Sequence, residues 1–437
     1  MGKVNIKHLS SFNFGIETWG YISFSLLLGF LLPWIDNFFF RGWFSPVNQE
    51  TMISILSAVA SGMIALSGIV FSLIFVLVQF GSASYTPRLT RIFAHSYVLR
   101  HSLGIFTGTF LYSLMTMRSI GMRGLNPVSG LAVWIAFLWL LASIAILARL
   151  IRVFTTLTIT NILSMLGRIG QLNISKIYKM HATDKQCSDK SHFYFSQPNQ
   201  KCVRHIVYKG DPGYITGYNE SKLLSIAIAN DIVIFLPYSI GDSIEYGANI
   251  AVILGDNLSF KEASVYKSIH LGTERLFKND PRYSFRLLVD MAIRALSPAI
   301  NDPTTAVQVL DHIQAFLIQL GNSNLDIGTI NDKKDAVRIV LNTPRWEDYL
   351  QLGLVEIMQY GAGSIQVQRR LKSLLFFLKH SVPVERAKTV NNFIEQRDSL
   401  VLDTFSNINF RQLADIADRQ GIGSGGDKFD KFISSLS

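Results

Sequence analysis

Nearly all the long apolar runs of this chain lie between residues 16 and 154. A helix that crosses a bilayer needs about 20 predominantly apolar residues. Four segments approach that pattern: Trp19–Phe40, Thr51–Phe80, Leu103–Met117 and Val128–Ala148. The rest of the chain has ordinary charge and only short apolar stretches. The sequence therefore predicts a membrane α-helical part with four transmembrane helices and a cytosolic α+β domain. That domain is expected to hold a small β-barrel or sandwich module and a helical module. The boundaries read as 1–154 for the membrane part and 155–200 for a linking helix and loop. Residues 201–256 form the β-rich module, 257–410 the helical module and 411–437 a flexible tail.

Composition agrees with a membrane chain, since 49% of the 437 residues are apolar and only 16% are charged. The net charge of +10 is assigned to basic residues flanking the apolar segments. No basic helix or aromatic platform accompanies it, so nucleic acid is not an expected partner. The N-terminus has no apolar core followed by a small-residue cleavage site, and no removable signal peptide is expected. Lys3, Lys7, Arg88, Arg91, Arg100, Arg149, Arg152 and Arg168 outnumber Arg41, Arg118 and Arg123 on alternate sides. This bias predicts a multi-pass protein of the bacterial inner membrane with both termini in the cytoplasm. No Asp, Glu, Lys or Arg lies deep in any of the four segments, which argues against a proton-coupled carrier.

The second segment stands apart. Ser54, Ser57, Ser61, Ala65, Gly68, Ser72 and Gln79 recur at helical spacing on roughly one face. Small residues on one face let helices pack closely. The same hydroxyls, repeated around a ring of copies, present a neutral, wettable path. The next stretch, Gln79–Phe93, places Pro87, Arg88 and Arg91 as an elbow at the headgroups, where anionic lipid is a second possible contact.

Catalytic signals are absent from the sequence. There is no P-loop, G-x-S-x-G or H-E-x-x-H. Asp311 and His312 are adjacent, so a helix points them apart, and His205 and His270 are isolated. Cys187 and Cys202 fit no zinc spacing. No catalytic residue, metal site or cofactor is expected.

In the water-facing part, short β-branched and aromatic runs between residues 202 and 254 read as strands. Phe285–Leu296, Pro303–Leu320, Trp346–Gln359 and Ser364–Leu378 read as helices. Arg286, Asp290 and Arg294 form a charged ladder four residues apart. Between the first two helices, ALSPAINDPTTAV (295–307) carries Pro298, Asp302 and Pro303, which suit a helix end, an N-cap and a first helical position. Ser297, Asn301 and Thr304 then hold spare polar groups at a positive helix end, suited to an anion or an interface.

QFGSASYTPRL, GYITGYN with DIVIFLPYSIGDSIEYG, LVDMAIRALSPAINDPTTAVQVLD and MQYGAGSIQVQRRL occur in that order. The chain thereby resembles the bacterial predicted membrane proteins of family DUF2254, from about Ser10 to about Glu395. Position 299 is Ala where the resemblance leads one to expect Gly. The resemblance implies an integral inner-membrane protein with a cytosolic domain and implies no reaction. The reading preferred from sequence is a homo-oligomeric channel lined by Ser54, Ser57, Ser61, Gly68, Ser72 and Gln79. The alternative is a membrane-anchored sensor or scaffold that binds a small ligand or protein through Arg286, Asp290, Arg294, Ser297, Asn301, Asp302 and Thr304. Expected partners are the lipid bilayer, further copies of the chain, and ions or a small ligand.

Overall fold

The computed structural model describes residues 16–39, 48–80, 97–121, 131–155, 158–178, 203–255, 260–276 and 280–422. The headgroup elbow (Pro87, Arg88, Arg91), Lys3, Lys7, Arg41, Arg123, Cys187 and Cys202 lie outside these residues. The chain divides into two compact units, Met1–Thr158 and Ile159–Ser437.

The first unit contains α1 (Ile16–Phe39), α2 (Gln49–Phe80), α3 (Tyr97–Gly121) and α4 (Leu131–Thr155). The expectation of four transmembrane helices is corrected here. Among the described residues only Gln49–Val76 and Leu131–Val153 are long and apolar enough to span a bilayer. The apolar part of α1 is the shorter Thr18–Leu32. Helix α3 fails on composition, with Arg100, His101, Arg118 and a series of hydroxyl residues.

Those hydroxyls explain what α3 does instead. It packs against α1, α2 and α4 and buries Ser102, Thr109, Ser113, Thr116 and Ser119. Three of these bond back to their own helix: Ser102 Oγ to the Leu99 carbonyl at 2.9 Å, Thr109 Oγ1 to Ile105 at 2.7 Å and Ser113 Oγ to Thr109 at 2.9 Å. A hydroxyl satisfied in this way loses most of its burial penalty. Gly104 and Gly108, one turn apart, take α3 close to α1. A Cβ on either would come within 2.6 Å of the Tyr21 ring or of Ser25 Oγ. This is small-residue helix packing of the kind found inside membranes.

The second unit opens with α5 (Ile159–Ile177) and continues as β1 (Val203–Val207), β2 (Gly213–Tyr218), α6 (Glu220–Asn230), β3 (Val233–Leu236), β4 (Ser243–Ile244), β5 (Asn249–Leu254), α7 (Glu262–Tyr266) and β6 (Ile269–Gly272). Helices α8 (Pro281–Ala295) and α9 (Pro303–Gly321) follow, then β7 (Thr329–Asn331) and β8 (Val337–Leu341). The β-rich part is not the self-contained barrel or sandwich expected for 201–256. Its main sheet has the order β1-β5-β3-β8-β7, and β8 runs parallel to β3. Strand β3 pairs with β5 on one side and needs a partner on the other. The β-branched run VRIVL, about 100 residues later, supplies it. A three-stranded sheet, β4-β2-β6, completes the module. Leu223, Ala227, Ile234, Ile253 and Ile339 form its core.

The helical part is built around Phe285 of α8, Phe316 of α9 and Tyr349 of α10 (Trp346–Leu350). Phe285 lies edge-on to Phe316 at 5.1 Å and tilts against Tyr349 at 5.5 Å between ring centroids. The helix expected over Trp346–Gln359 is interrupted by a π-helical turn, Gln351–Val355, before α11 (Glu356–Tyr360). A Cβ at Gly353 in that turn would sit only 3.2 Å from Phe285 and Ile313, so glycine admits this close approach. Helices α12 (Ile365–Ser381), α13 (Val384–Thr404) and α14 (Ile408–Ala414) finish the described chain.

Candidate functional site

The Ser/Gly stripe of α2 lies on a face left exposed among the described residues. Ser54, Ser57, Ser61, Ala65, Gly68, Ser72 and Gln79 are all exposed. Met52, Leu56, Val59, Ala60, Met63 and Val70 on the other side are buried. Helix α2 also exposes Ile64, Ile69, Phe71, Phe75 and Val76, while α4 exposes Trp134, Phe137, Leu138, Leu141, Ile144 and Ile151 with no such hydroxyl stripe. Bulky apolar side chains suit lipid tails, whereas small and hydroxyl side chains suit close protein contact or water.

In the second unit, the charged ladder is an internal ion-pair network. Arg286 donates two parallel bonds of 2.8 Å to the Glu356 carboxylate and a third, of 2.6 Å, to Asp290. These bonds hold the Glu356 carboxyl below its ordinary range. Arg294, the third rung, takes no place in this network, and its buried Nε has no partner among the described residues.

The 295–307 turn is closed by its own groups. Asp302 caps α9 by accepting from the Thr305 amide at 3.1 Å and the Thr305 hydroxyl at 2.6 Å. Ser297 Oγ donates to the Arg294 carbonyl at 2.7 Å. Asn301 takes a left-handed conformation, with φ of 47°, which asparagine tolerates better than most residues. Asn301 and Thr304 are exposed. Capping and turn formation account for Asp302, Pro303, Ser297 and Asn301.

The polar convergence lies elsewhere, in a cavity of about 480 Å³. The end of α5 brings Lys176, Ile177 and Tyr178 to it, and the start of α8 brings Asp280, Pro281 and Arg282. Tyr349 of α10 and the β-module residues Ser239, Ile330 and Leu341 complete the wall. The Tyr178 and Tyr349 hydroxyls lie 2.9 Å apart, and burial raises both phenols above their ordinary range. Asp280 is 1% exposed. It caps α8 by accepting from the Tyr283 amide at 3.2 Å, and it receives Arg275 at 2.6 Å. Burial nevertheless raises its carboxyl, with the arginines opposing. Arg282 donates through Nη2 to the Ile240 carbonyl at 2.6 Å and to Asp242 at 2.9 Å.

None of these four residues was singled out from the sequence, because their positions span residues 178 to 349. One signal was present. Asn-Asp-Pro occurs twice, at 279–281 and 301–303, and both copies start a helix with Asp as cap and Pro in the first turn. The first copy is the one that carries its aspartate into a cavity wall. Among the described residues, no three His, Cys, Asp or Glu side chains gather as a metal site.

Residues 16–376 match the family described as "Predicted membrane protein (DUF2254)". The chain belongs to the DUF2254 family. Both candidate spans and the whole cavity lie inside the matched region. An uncharacterized protein of Mycobacterium bovis and one of Mycobacterium tuberculosis are each 27% identical to this DUF2254 chain over 351 residues, which is 78% of it. The chain spans 65% of the length of these relatives. No solved structure matches it. A DUF2254 membrane protein with two candidate spans is thus established, while its activity is open to proposal.

Proposed function

We propose that this DUF2254 protein is a membrane-anchored, ligand-responsive protein whose second unit binds a small molecule in the Tyr178–Asp280–Arg282–Tyr349 cavity. The observation that carries this reading is the cavity itself. Its volume falls in the range used for small-molecule sites, about 300–1,000 Å³, and apolar walls surround a few converging polar groups. One wall is the end of α5, the helix that follows the Leu131–Val153 span in sequence. A ligand that binds Tyr178 therefore acts on the helix that follows a candidate span in the sequence. On this reading, Arg286, Asp290, Arg294, Ser297, Asn301, Asp302 and Thr304 serve the scaffold around the site.

The test is amide hydrogen exchange on the full chain in lipid nanodiscs. A low-molecular-mass metabolite extract is expected to slow exchange at residues 175–178 and 341–349. Ile330→Trp, which places a bulky ring against the apolar wall, is expected to abolish the effect while leaving the far-ultraviolet spectrum unchanged. No slowing in the wild type, or equal slowing in the variant, sinks the reading.

A second reading is favoured by the exposed stripe of α2. A homo-oligomeric channel would line its path with Ser54, Ser57, Ser61, Gly68, Ser72 and Gln79, and the second unit would serve as its gate. On this reading Ser61→Trp removes discrete single-channel openings in a planar bilayer. Silence of the wild type across salts, voltages and membrane tension sets the channel aside.

A further inference from the structure

Hydrogen-bond accounting at the cavity leaves a surplus of donors. The Tyr178 and Tyr349 hydroxyls carry two protons, and their mutual bond uses one. The other has no acceptor among the described residues. Arg282 commits Nη2 to Ile240 and Asp242 and holds Nε 4.0 Å from Asp280, while its Nη1 donates no hydrogen bond among the described residues. Exposed Lys176 adds three donors and makes no ion pair among the described residues.

The buried carboxylate and serine acceptors nearby are already used, while exposed Asn342 and half-buried Thr343 keep their side-chain oxygens at the rim. Asp280 receives Arg275 on Oδ2 and the Tyr283 amide on Oδ1. Ser239 donates its hydroxyl to the Asn342 carbonyl at 2.6 Å. The remaining carboxylate of the lining, Glu220, is exposed, so water screens it. One stretch of the wall is apolar, with Ile177, Ile327, Ile330 and Leu341. Donors without acceptors, beside an apolar wall, match a ligand with an anionic head and an apolar body.

We infer that the cavity binds a small organic anion, its acidic head at Arg282 and the tyrosine pair and its apolar body against Ile330 and Leu341. This rests on the ligand-binding reading above and specifies its chemical class. The buried Asp280 carboxylate is consistent with it: paired with Arg275 at 2.6 Å and facing Arg282 at 4.0 Å, it opposes an incoming anion less than a free carboxylate would.

The inference is tested with hexanoate, hexylammonium and hexanol, three probes of one length and different charge, on the full chain in nanodiscs. Hexanoate is expected to slow amide exchange at residues 175–178 and 341–349, with little effect from the other two. Arg282→Gln should raise the half-saturating concentration about tenfold or more, as loss of a charged hydrogen bond requires, and Arg282→Lys should fall between. Since Arg282 also ties Ile240 and Asp242 together, Ile330→Trp serves as a second variant and is expected to abolish the response. Equal protection by hexanol or hexylammonium overturns the anion class but leaves the ligand-binding reading standing. No protection by hexanoate, or protection that survives Ile330→Trp, overturns the inference. A response of wild type to the metabolite extract then still upholds a ligand of another kind.

Discussion

Gly170→Val is expected to destabilise the second unit by about 3 kcal/mol, at the upper end of what overpacking a core costs. Gly170 lies on the face of α5 that meets α9, and a Cβ there would overlap the Phe316 ring. Phe316 is fully buried and held edge-on by Phe285, so it has nowhere to swing. Gly167, one turn earlier, meets His312 of α9 in the same way. The ordinary benefit of removing a helical glycine, about 0.5–1 kcal/mol, is too small to compensate. The check is denaturant unfolding followed by circular dichroism, with Phe316→Ala as a second variant. That variant alone should cost about 3–5 kcal/mol. Together the two should cost clearly less than their sum, because valine then occupies the vacated space. Strict additivity would show that the two residues do not meet.

Arg397→Ala is expected to have a similar effect, about 3–5 kcal/mol, typical of truncating a large, fully buried side chain to alanine. Arg397 is fully buried on α13. It reaches Asp398 at 2.7 Å and Asp415 at 2.8 Å, and it also donates to the Gln368 and Ala414 carbonyls. It thus joins α12, α13 and the end of α14 through one side chain. Arg397→Met keeps most of the volume and should cost less, about 1–2 kcal/mol. Asp398 and Asp415 are 42% and 51% exposed and so can be hydrated when the arginine leaves. Asp415 also keeps Lys372 at 2.5 Å. Thermal unfolding of both variants checks this. Equal losses would mean that the polar network, rather than packing, holds α14 in place.

Much of the fold was legible in local chemistry. Asp302 and Pro303 start a helix because a carboxylate accepts from the first-turn amides and proline lacks the donor that position would leave unpaired. Ser364 caps α12 in the same way, its hydroxyl accepting from the Val367 amide. The stripe on α2 was legible as a stripe, since helical spacing alone puts Ser54, Ser61, Gly68 and Ser72 on one face. Span counting from apolar length was less secure. Helix α3 looked like a third span from Leu103 to Met117, yet its serines and threonines mark it as the helix the others surround.

Local sequence encodes which segments are apolar, the start of α9 at Asp302–Pro303, and the junction of an apolar part with a mixed α and β part. Those features depend on periodicity and on caps a few residues apart, so they are written locally. The folded chain alone places β8 so that it completes a sheet begun about 100 residues earlier. It alone showed that the charged ladder closes on Glu356 and that Tyr178, Asp280, Arg282 and Tyr349 line one cavity. Such meetings depend on which surfaces bury one another after the chain has folded back, and no local spacing encodes them.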